Sequence, residues 1–217
     1  MLDFATARQM MVDGQIRTAD VTDPRLVAAL LDVPRESFLP RRQAALAYVD
    51  TDAPVSEGSP RCMLKPMVLA RLLQIAAIVE TDRVLDVGCA TGYSSALLSR
   101  LAASVVALEE DSSLAQEARR ALGAAANVKV AEGRLNVGYP ADGPYDVIVI
   151  EGGVEVAPDA LLRQLKEGGR LVCMVGSGPG SRGTLYRAVR GDFSGRSVFD
   201  ASAPLLPGFA RPPEFAF

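Results

Sequence analysis

Arg83-Val-Leu-Asp-Val-Gly-Cys-Ala-Thr-Gly-Tyr-Ser-Ser95 is the stretch from which the rest of the chain can be read. An apolar, β-branched run over 83–87 stops at Gly88, and Gly92 opens a helix from about Tyr93 to Leu101. A strand, a glycine turn and a helix form the unit from which parallel sheets with covering helices are built. Downstream the alternation continues: a strand over 104–109, a helix from Asp111 to about Leu122, and a strand over 127–130. A strand over 145–150, a helix over 158–166 closed by Gly168-Gly169 and a strand over 170–175 follow. Tyr145-Asp-Val-Ile-Val-Ile150 is apolar almost throughout, as a strand buried on both faces must be. The pattern predicts an α/β, Rossmann-like, doubly wound domain that binds its ligand beyond the carboxyl ends of the strands.

Upstream the character changes. A helix is expected from Pro66 to about Val79, and two more at Phe4–Arg17 and from Asp23-Pro24 through Leu31, the latter with Asp as N-cap and Pro in the first turn. Residues 48–60 are rich in Pro, Gly, Asp and Ser and read as a long irregular segment. Residues 1–65 are therefore expected to form a helical N-terminal segment with a loop, and 66–217 the Rossmann-like domain, as one compact unit. Two candidate tail strands, 184–190 and 196–201, precede a proline-rich end.

Composition narrows the chemistry. The 217 residues are 49% apolar and 23% charged, enough to bury a core, with net charge −3. The closest basic clusters, Arg41-Arg42 and Arg119-Arg120, are too small for a phosphate-neutralising face, so no nucleic-acid partner is expected. Histidine is absent, which removes catalytic imidazole, His-ligated zinc and the Ser-His-Asp triad. Cys62, Cys89 and Cys173 lie far apart without paired spacing, so reduced thiols, no metal site and a cytoplasmic setting are expected. The apolar run Met67–Val79 carries Arg71 and Gln74, so no membrane span is expected.

The turn itself selects a ligand. A dinucleotide site needs Gly-x-Gly-x-x-Gly, whereas here Ala90 holds the middle position, and no Lys-Ser/Thr pair follows for a phosphate loop. S-adenosylmethionine has no phosphate and suits the turn Asp86-Val87-Gly88-Cys89-Ala90-Thr91-Gly92 better. Asp86 can orient its ammonium end, and Glu109, 21 positions beyond Gly88 at the end of the next strand, can accept from ribose hydroxyls. Glu132 and Gly133 after the third strand can reach the adenine edge, and Glu151, before Gly152-Gly153, faces the place where an acceptor would lie. Gly88 and Gly92 serve equally well as packing glycines, Glu132 as a solvent-facing residue, and Gly152-Gly153 as a plain turn.

Arg8-Gln-Met-Met-Val12, Gln15-Ile16, Val33-Pro-Arg-Glu-Ser-Phe38, Ala47-Tyr-Val-Asp50, the Asp86–Gly92 turn, Asn127-Val-Lys-Val130 and Leu161-Leu-Arg-Gln-Leu-Lys-Glu-Gly-Gly-Arg-Leu-Val172 together resemble the protein-L-isoaspartate O-methyltransferases. The resemblance covers roughly residues 8 to 176, well beyond a single motif. It implies methyl transfer from S-adenosylmethionine to the carboxylate of a damaged aspartyl residue in a protein or peptide. That acceptor is ionised at neutral pH and needs no general base. One segment departs from the pattern. The family carries Gln-Thr-Ile-Ser-x-Pro before the Pro66 helix, with hydroxyls at the acceptor site; here the stretch is Arg61-Cys62-Met63-Leu64-Lys65-Pro66. Cys62 takes the threonine position and Leu64 the serine position, and Arg61 and Lys65 are the candidate charges for an anionic acceptor. Three other readings stay open: a different small or peptide acceptor, a non-catalytic S-adenosylmethionine-binding protein, and, disfavoured by the acidic balance, an RNA methyltransferase.

Overall fold

Among the described residues the two largest apolar cores lie one on each face of a seven-stranded sheet. The computed structural model describes residues 3–56, 60–176 and 178–212. Residues 57–59 of the expected irregular segment, residue 177 and the ends 1–2 and 213–217 of the expected units lie outside the described residues. Helices α1 (Phe4–Met11) and α2 (Pro24–Asp32) lead to a two-stranded ladder, β1 (Ala53–Pro54) with β2 (Cys62–Met63), and then to α3 (Pro66–Ala76). The sheet unit comprises β3 (Arg83–Val87), α4 (Tyr93–Leu98), β4 (Ser104–Glu109), α5 (Ser112–Ala121), β5 (Val128–Glu132), β6 (Tyr145–Val154), α6 (Asp159–Leu162), β7 (Leu165–Val175), β8 (Arg182–Val189) and β9 (Asp192–Asp200).

The strands lie in the order β5-β4-β3-β6-β7-β8-β9. β3 to β7 are parallel, and β8 and β9 close the sheet as an antiparallel hairpin. This is the expected Rossmann-like arrangement, and the order reverses beside β3. Alternation along the strands assigns the two cores. Val84, Val147, Val149 and Val172 enter a cluster that runs continuously into α1, α2 and α3. Their neighbours Leu85, Ile148, Ile150 and Leu171 enter the opposite one. Successive side chains on a strand point to opposite faces, so a run buried on both sides reads as unbroken apolar sequence.

Several boundaries differ from those expected. The first helix stops at Met11, and the chain widens into a π-turn at Val12–Ile16 and a 3₁₀ turn at Arg17–Ala19, with Gly14 inside. The expected 158–166 helix is one turn, Asp159–Leu162. The Gln164 carbonyl accepts from Tyr145 N at 2.8 Å, so the backbone there serves the sheet instead of a helix. β5 runs on to Glu132, and β6 continues through Glu151, Gly152 and Gly153 to Val154 instead of turning. The tail holds that extension: Gly153 N donates to Pro204 O at 2.7 Å and Leu206 N to Gly153 O at 3.0 Å. A Cβ on Gly152 would lie 2.5 Å from Leu206 Cγ, so only glycine lets the tail approach. Among the described residues no helix is long and apolar enough to cross a membrane.

Candidate functional site

The turn after β3 is built from left-handed residues. Gly88 (φ +83°), Ala90 (φ +50°) and Gly92 (φ +98°) fold the chain back so that its amides face the end of β4. An L-residue pays about 1–2 kcal/mol for this conformation, and Ala90 holds it because its N–H donates to Glu109 Oε2 at 2.8 Å. Thr91 Oγ1 donates to Phe38 O at 2.6 Å, tying the turn to the N-terminal segment. The Phe38 and Tyr93 rings meet edge to face with centroids 5.6 Å apart.

Glu109, at the end of β4, is wholly buried. Its Oε1 accepts from the backbone N of Glu110 and Asp111 at 2.9 and 3.1 Å. It also accepts from Arg61 Nη1 at 2.6 Å, while Arg61 Nη2 reaches Oε2 at 2.9 Å and the Gly88 carbonyl at 3.0 Å. The guanidinium, 6% exposed, therefore lies flat on the carboxylate in the bidentate geometry that gives charge-assisted pairs their strength.

Arg35, the arginine of the Val33–Phe38 motif, positions the loop that carries Arg61. It is fully buried, donates from Nε to Ala47 O and from Nη2 to Leu64 O, both at 2.7 Å, and stacks 4.8 Å over the Tyr93 ring. Burial pulls its guanidinium below its ordinary pKa. Lys65 N donates to Asp52 Oδ1 at 2.9 Å and Met67 N to Asp50 Oδ1 at 3.3 Å, fixing the start of α3. Asp50, of the Ala47–Asp50 motif, and Asp52 just beyond it thus hold the end of the loop and the start of α3, and Arg35 holds the loop at Leu64.

Cys62, Leu64, Gly88, Cys89, Ala90, Tyr93, Ser94 and Glu151 line a recess with room for about one water. Asp86 lies behind Ser94; its Oδ2 accepts from the Ser94 and Ser95 hydroxyls at 2.7 and 2.5 Å. Asp86 Oδ1 and Glu151 Oε1 are buried without hydrogen-bond partners. Burial, with Glu109 nearby, pushes the Asp86 carboxyl up to about 6, although the serine hydroxyls act against it. Burial and the Asp86 charge push Glu151 well above the carboxylate range. Because the hydroxyls favour charge on Asp86, the proton of the pair rests on Glu151.

That pair has a consequence for stability. In the unfolded chain both carboxyls ionise near pH 4, whereas the folded pair retains protons above that. The native state then binds more protons than the unfolded state. The pair's contribution to stability is full below about pH 4 and falls as pH rises towards 6 and, for the Glu151 proton, beyond neutrality. Glu151→Gln leaves a neutral amide beside Asp86 with no proton to lose. It is expected to flatten this slope and raise the melting temperature at pH 8 by about 2–8 °C, corresponding to about 1–2 kcal/mol. Parallel melting curves for both proteins from pH 4 to 8 would contradict the assignment.

Of the residues expected at the site, Asp86, Gly88, Cys89, Ala90, Gly92 and Glu109 come together around one turn. Arg61 joins them there, on Glu109, and Cys62, Leu64 and Glu151 border the recess beside it. Leu64 is a core residue, 1% exposed. Lys65 is half-buried and does not line the recess. Glu132 pairs in register with Glu109, but its exposed carboxylate turns to Arg119 on α5, at 2.6 Å. Gly133 N donates to Glu109 O at 3.0 Å. Arg35 and Tyr93 escaped the sequence reading; the one available signal was an arginine set between apolar residues in the Val33–Phe38 motif.

Comparison with known proteins gives consistent results. The family model for protein-L-isoaspartate(D-aspartate) O-methyltransferase matches residues 6–196. Protein-L-isoaspartate O-methyltransferase 1 of Rhodopseudomonas palustris is 39% identical over 176 residues, which are 80% of this chain and 71% of that protein. A solved protein-L-isoaspartate O-methyltransferase superposes with TM-score 0.78 at 24% identity, over 94% of this chain and 65% of that one. A Plasmodium falciparum structure, titled a putative member of the same class in complex with S-adenosyl-L-homocysteine, gives TM-score 0.76 at 16% identity over 94% and 97% of the two chains. The last two likenesses bear on the fold alone.

Proposed function

Because the chain belongs to the protein-L-isoaspartate(D-aspartate) O-methyltransferase family, we propose that it methylates the carboxylate of isoaspartyl residues in proteins at the recess between Glu109, Glu151 and the Arg61–Lys65 loop. Family membership makes it an S-adenosylmethionine-dependent methyltransferase of the protein-repair type, acting on protein substrates. When bound, the cofactor supplies a methyl group made electrophilic by its sulfonium.

The observation that carries this reading is the set of buried acceptors around the Gly88 turn. Asp86 Oδ1 and Glu151 Oε1 are buried without hydrogen-bond partners, and a group bearing an ammonium supplies N–H donors of the kind that Asp86 lacks. In this reading Glu109 takes the ribose hydroxyls and Gly88 gives backbone approach. Asp86, held by Ser94 and Ser95, orients the amino-acid end. Glu132 and Gly133 serve the adenine edge, with Glu132 leaving Arg119. The acceptor carboxylate is already ionised, so the chain's task is to align it in a dry site, for which the recess, with room for about one water, must open. A cytoplasmic setting goes with this reading.

The acceptor side sets the expected rate. The Cys62 thiol is pushed up by burial and by Asp52, so it stays a weak S–H donor, and Leu64 offers none. Wild-type turnover of an isoaspartyl peptide is therefore expected to be low. Cys62→Thr with Leu64→Ser is expected to raise it by about tenfold to a hundredfold, since a hydrogen bond to a charged group contributes about 1.5–3 kcal/mol. Opening the Leu64 site costs stability, about 2–5 kcal/mol by analogy with Leu→Ala, so the assay needs a melting curve beside it. Robust wild-type turnover would show that the hydroxyls are dispensable and pass the carboxylate to Lys65 or backbone amides. Cofactor binding without turnover in either protein would overturn the isoaspartyl acceptor. It would favour another small or peptide acceptor, or a non-catalytic cofactor-binding role, the reading to which the missing hydroxyls also point.

A further inference from the structure

Glu109, the carboxylate at the ribose position, is already fully engaged within the chain. Arg61 lays two parallel N–H donors on it, at 2.6 and 2.9 Å, and the Ala90, Glu110 and Asp111 amides take the remaining directions. A ribose diol would present its two hydroxyl donors to the same two oxygens. Arg61 Nη2 also stands where the Gly88 turn would meet a ligand, 3.2 Å from the position of a Cβ on Gly88. Guanidinium and ribose cannot occupy one place. The carboxylate is wholly buried and the guanidinium nearly so, so little water weakens the pair.

We propose that Arg61 is an internal competitor for the ribose subsite, and that S-adenosylmethionine binds only in the fraction of molecules whose Arg61 has left Glu109. This rests on the reading that the Asp86–Glu109 site takes that cofactor. Apparent affinity is then reduced by the fraction of molecules in the open arrangement. The competing group sits immediately before β2, next to Cys62. Cofactor entry is thereby coupled to a change at the acceptor side. Arg61→Gln removes the charge and the bidentate fork, while the three backbone amides still satisfy Glu109.

Calorimetric titration of S-adenosyl-L-homocysteine into wild type, Arg61→Gln and Arg61→Lys tests the proposal. Arg61→Gln is expected to bind at least tenfold more tightly than wild type, about 1.4 kcal/mol. Arg61→Lys, which can offer a point charge but no fork, should fall between the two. Equal or weaker binding by Arg61→Gln, with measurable wild-type binding, overturns the competitor and leaves the cofactor reading standing. Absence of binding in all three proteins overturns both. If Arg61→Gln does not fold, a wild-type crystal structure with S-adenosyl-L-homocysteine decides: a guanidinium displaced from Glu109 by ribose supports the proposal, and one still seated there refutes it.

Discussion

Replacing Glu109 with alanine is expected to cost about 3–5 kcal/mol of unfolding free energy, the range for removing one partner of a buried ion pair, and to abolish cofactor binding as well. The structural loss is large because the nearly buried Arg61 guanidinium would lose its bidentate contact with Glu109, and the Ala90, Glu110 and Asp111 amides would lose their common acceptor. The binding loss is expected if Glu109 is the ribose acceptor proposed above, about 1.5–3 kcal/mol for each hydrogen bond. Adding Arg61→Gln to Glu109→Ala removes the buried charge that lost its carboxylate contact, so the double variant is expected to recover about 1–3 kcal/mol over the single one. Urea unfolding of the four proteins closes the cycle. An alanine variant within 1 kcal/mol of wild type, or strictly additive losses, would mean that the pair is not formed in solution.

A comparable loss is expected for Arg35→Ala. Two buried carbonyls, Ala47 O and Leu64 O, would lose charge-assisted donors, and the face of Tyr93 would lose its stacked guanidinium. Together these amount to about 3–5 kcal/mol, as for other breaks in buried charged networks. Part of that loss is offset, because Arg35 Nη1 is buried without a partner and its removal relieves a desolvated charge. Arg35→Lys can reach one carbonyl and should lose less than alanine does. The functional signature distinguishes this variant from Glu109→Ala: Arg35 pins the acceptor-side loop, so methyl transfer should fall further than S-adenosyl-L-homocysteine binding. Equal unfolding midpoints for wild type and Arg35→Ala would show that the loop is held by other contacts.

How much of this was legible beforehand depended on the range of the interactions involved. The parallel strands declared themselves through local pattern: β-branched runs such as 145–150, bounded by turn residues, need no knowledge of their partners. The Gly88–Gly92 turn and the acid at the end of β4 were equally local, because left-handed backbone asks for glycine and a strand of known length brings Glu109 to the same end of the sheet as Asp86. Ala90 shows the limit. A left-handed alanine is unfavourable by itself and becomes acceptable only through its bond to Glu109.

Long-range partners carried no such signal. Arg61 and Glu109 are 48 positions apart, and no periodicity relates them. The sequence offered Arg61 as a charge for an acceptor and Glu109 as a ribose ligand; folding brought the two onto one another. Arg35 and Leu64 meet across 29 positions, so the motif arginine was visible but its task was not. Helix 158–166 and the end of β6 were misjudged for a related reason. Their backbone groups bond to Tyr145 and to the tail at Pro204 and Leu206, and a buried amide or carbonyl takes whatever partner the fold supplies. The sequence by itself determined the α/β architecture, the place of the glycine turn after β3 and the lack of hydroxyls at Cys62 and Leu64, since each follows from residue type and near neighbours. Only the tertiary structure decided which charges pair, which carboxyls burial pushes up and what lies on Glu109, because burial and close approach between distant segments set those energies.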